Sequence, residues 1–144
     1  MPSQKHFRCL EKMFASAPIH HLVQAEISID KGRAEVFIPV DERFFHAAGA
    51  LHGALYFMAL DNAAYFAASS LVRDVFILTA CFNTFLLRPI SEGRIRAVGT
   101  VVAHSRAQIV AEASAYDDAG HEIARGSGIF VPSKTALGPE IGYC

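Results

Sequence analysis

One aspartate stands in the middle of an apolar run. Leu55-Tyr56-Phe57-Met58-Ala59-Leu60 leads into Asp61 and Asn62, and Ala63-Ala64-Tyr65-Phe66 resumes the run. A carboxylate in such surroundings loses hydration, which raises its pKa unless donors compensate. Positioned and partly dry, it can take a proton from water or attack an electrophilic carbon. An aspartate bonded to a neighbouring serine, asparagine or backbone group fits the same pattern with no chemistry at all. Thr79, further on, carries a hydroxyl able to hold a water or steady a carboxylate. It equally suits a strand as a β-branched residue. Asn62 points about 100° away from Asp61 around a helix, and is expected to pack or to meet another subunit.

Other constellations are weaker. His46, His52 and Asp61 do not fall at a spacing used for divalent metals, so no metal site is expected. Gly126-Ser127-Gly128 is not a nucleophile elbow, because a strand rather than a helix follows it. Arg88, Arg94, Arg96 and Arg106 fall at strand ends or on outward faces, where they suit phosphates or solvent alike. Phe44, Phe45, Phe57, Phe82 and Phe85 suit either a pocket wall or a core.

The elements that must hold these residues follow from periodicity. Phe7, Leu10, Met13 and Phe14 repeat at helical spacing, which predicts a short amphipathic helix over 4–15 ended by Pro18. Strand-like runs His21–Asp30 and Arg33–Val40 flank Lys31-Gly32 and read as a hairpin. A long helix is expected from Gly53 to about Leu71. Strands follow at about Val75–Leu87, Gly93–Ala103, Arg106–Asp117 and His121–Val131, with turns at Pro89, Glu92-Gly93, His104-Ser105 and 117–120. Three of these strands show one face of mostly small residues: Ala97 and Gly99; Ala111, Ala113 and Ala115; Gly126 and Gly128. Small faces need bulk opposite them, and the apolar helix supplies it. The sequence therefore predicts an α+β fold, a curved antiparallel sheet wrapped around one long central helix.

With 144 residues and a net charge of −1, the chain suits one domain and shows no footprint for nucleic acid or an anionic membrane. Residues 1–132 are expected to form that domain and 133–144 a loose tail. The stretch Gly49–Val72 has the length of a membrane span, but His52, Asp61 and Asn62 inside it argue for a buried helix. Cys9, Cys81 and Cys144 are odd in number and far apart, with no C-x-x-C. Free thiols in a reducing cytoplasm are expected.

The order helix, two strands, long buried helix, four strands resembles the hotdog fold. Three stretches resemble its PaaI-like acyl-CoA thioesterases in particular. They are His52-Gly53-Ala54 with Asp61 nine residues after the histidine; Thr79 to Pro89, with Asn83 inside it; and the small-residue strand Ala124 to Phe130. The resemblance covers about residues 20–132. It implies hydrolysis of an acyl-CoA or aryl-CoA thioester, with no cofactor beyond the coenzyme A of the substrate. It assigns Asp61 as base or nucleophile, the Gly53 amide as the group polarising the thioester carbonyl, and Thr79 as an aid to the water. His46, His52 and Ala54 would bind substrate. Ala54 stands where many members have glycine, and His46 where many have asparagine or glutamine. The resemblance also implies a homodimer or a dimer of dimers, with sites built from both subunits. A catalytically silent acyl-CoA-binding module of the same fold is the alternative, motivated by His46. A hydratase of that fold is disfavoured by the position of Asp61.

Overall fold

The computed structural model describes residues 3–144. Helix α1 (Gln4–Ser16) starts at Ser3, whose hydroxyl accepts the His6 N–H, and buries Phe7, Leu10, Met13 and Phe14 along one face. Pro18 does end that helix, because a residue before proline is driven out of the α region, and Ala17 has ψ 127°. The same proline then opens α2 (Pro18–Val23), its fixed φ being suited to a first helical position. The strand expected from His21 therefore begins only at Glu26. Gln24, left-handed at φ 57°, closes α2.

Strands β1 (Glu26–Asp30) and β2 (Arg33–Pro39) form the expected hairpin, turning at Gly32 with φ 67°. A short 3-10 turn, Glu42–Phe44, leads to helix α3 (Gly53–Ser69). Four strands follow: β3 (Val75–Leu86), β4 (Arg94–His104), β5 (Ile109–Tyr116) and β6 (Glu122–Ala136). All six pair antiparallel in the order β1-β2-β4-β5-β6-β3, with α3 against one face. This is the hotdog fold.

The inner face of the sheet is the small-residue face read from the sequence. Ala34, Val36, Ala97, Ala111, Ala115 and Ala124 are fully enclosed. The helix, however, does not meet it with bulk alone. Ala59, Ala63, Ala64, Ala67 and Ala68 are enclosed as well. A Cβ placed on Gly99 would lie 2.1 Å from the Ala63 carbonyl oxygen and 2.6 Å from the Ala64 nitrogen. Helix backbone thus rests on sheet backbone, and bulk sits to either side of that contact, in Leu55, Leu60, Tyr65 and Phe66. Tyr65 adds a lateral tie, its hydroxyl donating to the Ile77 carbonyl at 2.6 Å.

The last residues depart from expectation. β6 continues past residue 132 to Ala136, which pairs with Val75. Beyond it Leu137 donates its N–H to the Asp74 carbonyl, a 3-10 turn spans Pro139–Ile141, and Tyr143 Oη lies 2.9 Å from His6 Nδ1. Cys144 is disulfide-bonded to Cys9 across 135 residues of sequence, with the Cα atoms 5.3 Å apart. The expected loose tail is therefore bound to α1. The expected three free thiols reduce to one, Cys81, which is exposed. Chain spacing could not reveal this pairing, because the fold brings the two ends of the described chain together. The reading of a reducing compartment loses its support from cysteine usage. No helix among the described residues is long and apolar enough to cross a membrane.

Gly99→Ala is expected to lower stability by at least about 1–3 kcal/mol, as overpacking does, because the obstructing atoms are backbone. Urea unfolding followed by circular dichroism measures it; an unchanged midpoint would contradict the close helix–sheet contact.

Candidate active site

Helix α3 carries Asp61 at mid-length. β3, an edge strand of the sheet, runs beside it. Thr79 Oγ1 on β3 donates to Asp61 Oδ1 at 2.9 Å. Burial pushes the Asp61 pKa above the ordinary carboxylate range, and the Thr79 hydrogen bond, which favours the ionised form, pulls the other way. The aspartate is half-buried and opens onto a cleft of about 690 Å³. Tyr65, Phe66, Phe14 and Ile141 supply apolar wall.

Gly53 is the first residue of α3. His52 caps the helix, its Nδ1 accepting the Ala54 N–H at 3.0 Å. A ring nitrogen that accepts bears no proton, so the neutral His52 ring carries its proton on Nε2. The Leu55 N–H goes to the His52 carbonyl. The cap and this bond leave the Gly53 N–H as the first-turn donor aimed outward at the positive end of the helix. Gly53 lines a second cleft, of about 220 Å³, with His46, Leu86 and Arg88. His46 is exposed, and its Nδ1 accepts the Ala48 N–H at 3.1 Å, which leaves Nε2 outside that bond. Ala54, whose N–H is held by the cap, is exposed.

The candidate residues therefore fall into two groups. Asp61 and Thr79 share one cleft; Gly53 and His46 share the other. Along α3 the groups are eight residues apart, a rise of about 12 Å. One chain cannot bring both to a single carbonyl. Two residues outside the expected set join the first group. His20, on α2, stacks on Phe14 with ring centroids 3.7 Å apart, and its Nδ1–H donates to the Phe14 carbonyl at 2.7 Å. Burial lowers its pKa, partly opposed by that bond. The neutral Nε2 then accepts the Asn62 amide at 3.3 Å. Asn62, expected to pack or to meet another subunit, lines the cleft beside Asp61. Nothing local in the sequence pointed to His20, since its segment read as the lead into a strand. Among the described residues no three His, Cys, Asp or Glu side chains are grouped to hold a metal ion.

The edge strand itself is apolar and uncovered. Leu78, Phe85 and Leu86 on β3 are 49%, 59% and 54% exposed, and Phe57 on α3 is 42% exposed. Exposed apolar edges are pairing surfaces.

Comparison with known proteins identifies the family and the fold. Residues 48–124 match the family profile of the thioesterase superfamily. A thioesterase family protein from Silicibacter pomeroyi is 31% identical, with a TM-score of 0.77 over 85% of this chain and 96% of that one. The Escherichia coli PaaI protein from the phenylacetic acid degradation operon superposes with a TM-score of 0.85 at 18% identity, over 94% and 99% of the two chains. Thioesterase HI1161 from Haemophilus influenzae gives 0.78 at 19%, over 90% and 92%.

Two outcomes follow from the state of Asp61. Its raised folded-state pKa means that the stability it contributes is present below the ordinary aspartate value of 3.8 and is lost as pH rises through the raised value. Asp61→Asn is therefore expected to melt higher than the parent at neutral pH, with the gain shrinking as the pH falls into the ordinary aspartate range. Calorimetry across pH reads this, and a lower melting temperature at neutral pH would contradict it. Thr79→Ala removes a donor to the carboxylate and is expected to raise the Asp61 pKa further, read by carbon-13 NMR of the carboxyl.

Proposed function

The chain belongs to the thioesterase superfamily, and on that premise we propose that it hydrolyses an acyl-CoA or aryl-CoA thioester to the free acid and coenzyme A. The observation that supports this most is the partly desolvated Asp61, held by the Thr79 hydroxyl at an apolar cleft beside an uncovered sheet edge. The proposal includes a homodimer formed through β3. Edge pairing would cover the exposed leucines and phenylalanines. It would also set Asp61 of one subunit opposite Gly53 of the partner subunit, which resolves the separation of the two groups along α3.

In that site the thioester carbonyl oxygen accepts the Gly53 N–H, at the positive end of the helix. Charge develops on this oxygen as the carbonyl carbon is attacked, and a fixed donor stabilises it. Asp61 either deprotonates the attacking water or attacks the carbon itself, giving an anhydride that water then opens. Thr79 holds the reacting carboxylate or the water. The coenzyme A thiolate leaves and takes up a proton; the acyl group departs as the carboxylate. His46 Nε2 donates toward the thioester from the same side as Gly53, while His52 acts through the cap that orients Gly53. Ala54, committed to that cap, touches substrate only through its methyl group. No cofactor beyond the substrate's coenzyme A takes part.

Asp61→Ala and Asp61→Asn are each expected to fold and dimerise yet lose at least about a hundredfold in kcat, the usual scale for an acid–base group. Release of free thiol from a panel of acyl-CoA substrates measures this. Full activity in both variants would overturn the assignment. Acyl-CoA binding without thiol release by the parent protein would turn the reading to a silent binding module.

A further inference from the structure

The cleft beside Asp61 has a wall that the catalytic residues do not explain. Glu140, Ile141 and Gly142, from the segment after β6, line it opposite Phe66 and Asp61. Within itself this segment is held only by short-range bonds: Ile141 N–H and Tyr143 N–H to the Gly138 carbonyl, and Gly142 N–H to that of Pro139. A segment of this kind closes a cleft only if something fastens it.

The fastening lies on α1. Gly142 sits at φ +85°, where a side chain would be strained, and a Cβ there would lie 2.1 Å from Ser16 Oγ. Only glycine lets the chain pass so close to the end of α1. One residue on, Tyr143 Oη meets His6 Nδ1 at 2.9 Å. One further, Cys144 is bonded to Cys9, which is 2% exposed and embedded in the buried face of α1. Ile141 and Tyr143 also pack, partly buried, against the core, and the Tyr143 ring meets that of His6 edge-on. These contacts and the hydrogen bond are reversible and weak against the entropy of a short segment, and the disulfide is the one covalent tie.

We infer that Gly138–Cys144 is the wall that limits the size of the acyl group beside Asp61, and that the Cys9–Cys144 disulfide keeps it closed. This rests on the reading of that cleft as the acyl site. Reduction by a dithiol proceeds by attack on the sulfur of Cys144, the exposed residue of the pair, expelling the Cys9 thiolate. The second thiol of the reductant then displaces Cys144. The reductant ends as its cyclic disulfide, and the protein gains two electrons and two protons as two thiols. Freed from α1, Ile141 swings away and the cleft opens at the end remote from Thr79. The catalytic pair, held by α3 and β3, stays in place. Acyl groups too long for the closed cleft are then accepted.

The test compares kcat/KM for short-, medium- and long-chain acyl-CoA in four forms: oxidised parent, parent reduced with dithiothreitol, Cys144→Ser, and Ile141→Ala. The last trims the wall and leaves the disulfide intact, so it reads the wall even if loss of the disulfide unfolds α1. The ratio of long- to short-chain kcat/KM is expected to rise about tenfold in all three altered forms, the scale on which one or two methylenes are discriminated. An unchanged ratio with thiol release intact overturns the wall and leaves the hydrolysis reading standing. Absence of thiol release in every form overturns hydrolysis instead. Calorimetry with non-hydrolysable S-alkyl-CoA thioethers then decides the wall: tighter long-chain binding in the altered forms upholds it, and the same chain-length preference in all four refutes it.

Discussion

Asp61 is kept half-dry by the fold and kept ionisable by one hydroxyl, and these two influences pull its pKa in opposite directions. A fully buried carboxylate with no donor would be protonated and inert at neutral pH; a solvated one would be a weak base with a full hydration shell to shed. The balance depends on where α3 lies relative to β3, and that is set elsewhere. The helix rests backbone to backbone on Gly99, with Ala63 and Ala64 as the contact, so its height above the sheet has no freedom. Tyr65, the very next residue, ties the helix to the Ile77 carbonyl. With the helix fixed at Gly99 and at Ile77, the Asp61 carboxylate reaches Thr79 and no further into the core.

The same helix supplies the reason for proposing a site shared by two subunits. Its first turn offers the Gly53 amide, released by a histidine cap that consumes the neighbouring Ala54 donor. Its middle offers the carboxylate. A straight helix cannot fold these onto one atom, and two antiparallel copies can. The apolar residues left bare on β3 and on Phe57 lie along the line where such a copy would pair. Chemistry and assembly are thus one requirement in this reading: the surface that is costly to leave exposed is the surface that completes the site.

Much of this was legible in the sequence, for physical reasons particular to each residue. The small-residue strand faces marked Ala97, Ala111 and Ala115, and all three are enclosed. The intrusion of Asp61 into an apolar helix marked it before any geometry was known. What stayed hidden depended on distant contacts. Pro18 reads as a stop, and only the backbone of 18–23 shows that it is also a start, which places His20 against Phe14 and Asn62. The helix read as bulk facing a small-residue sheet, and only the structure shows its alanines resting on Gly99. Cys9 and Cys144 lie 135 residues apart, and pairing across that span is invisible to any local pattern. The division of the candidate residues between two clefts was implied only by the family resemblance. The length of α3 supplies its physical reason.

Subunit mixing tests the central claim most directly. Gly53→Pro deletes the one N–H assigned to the carbonyl oxygen. Proline suits a first helical position, and His52 already has the extended conformation, ψ 141°, that a residue before proline adopts. Neither Gly53→Pro nor Asp61→Asn homodimers should release thiol. A statistical mixture of the two, unfolded and refolded together, should recover about a quarter of parental activity, because half the dimers are mixed and each mixed dimer has one intact site of two in a two-fold assembly. A mixture that forms mixed dimers and stays inactive would contradict a shared site, as would an active Gly53→Pro homodimer.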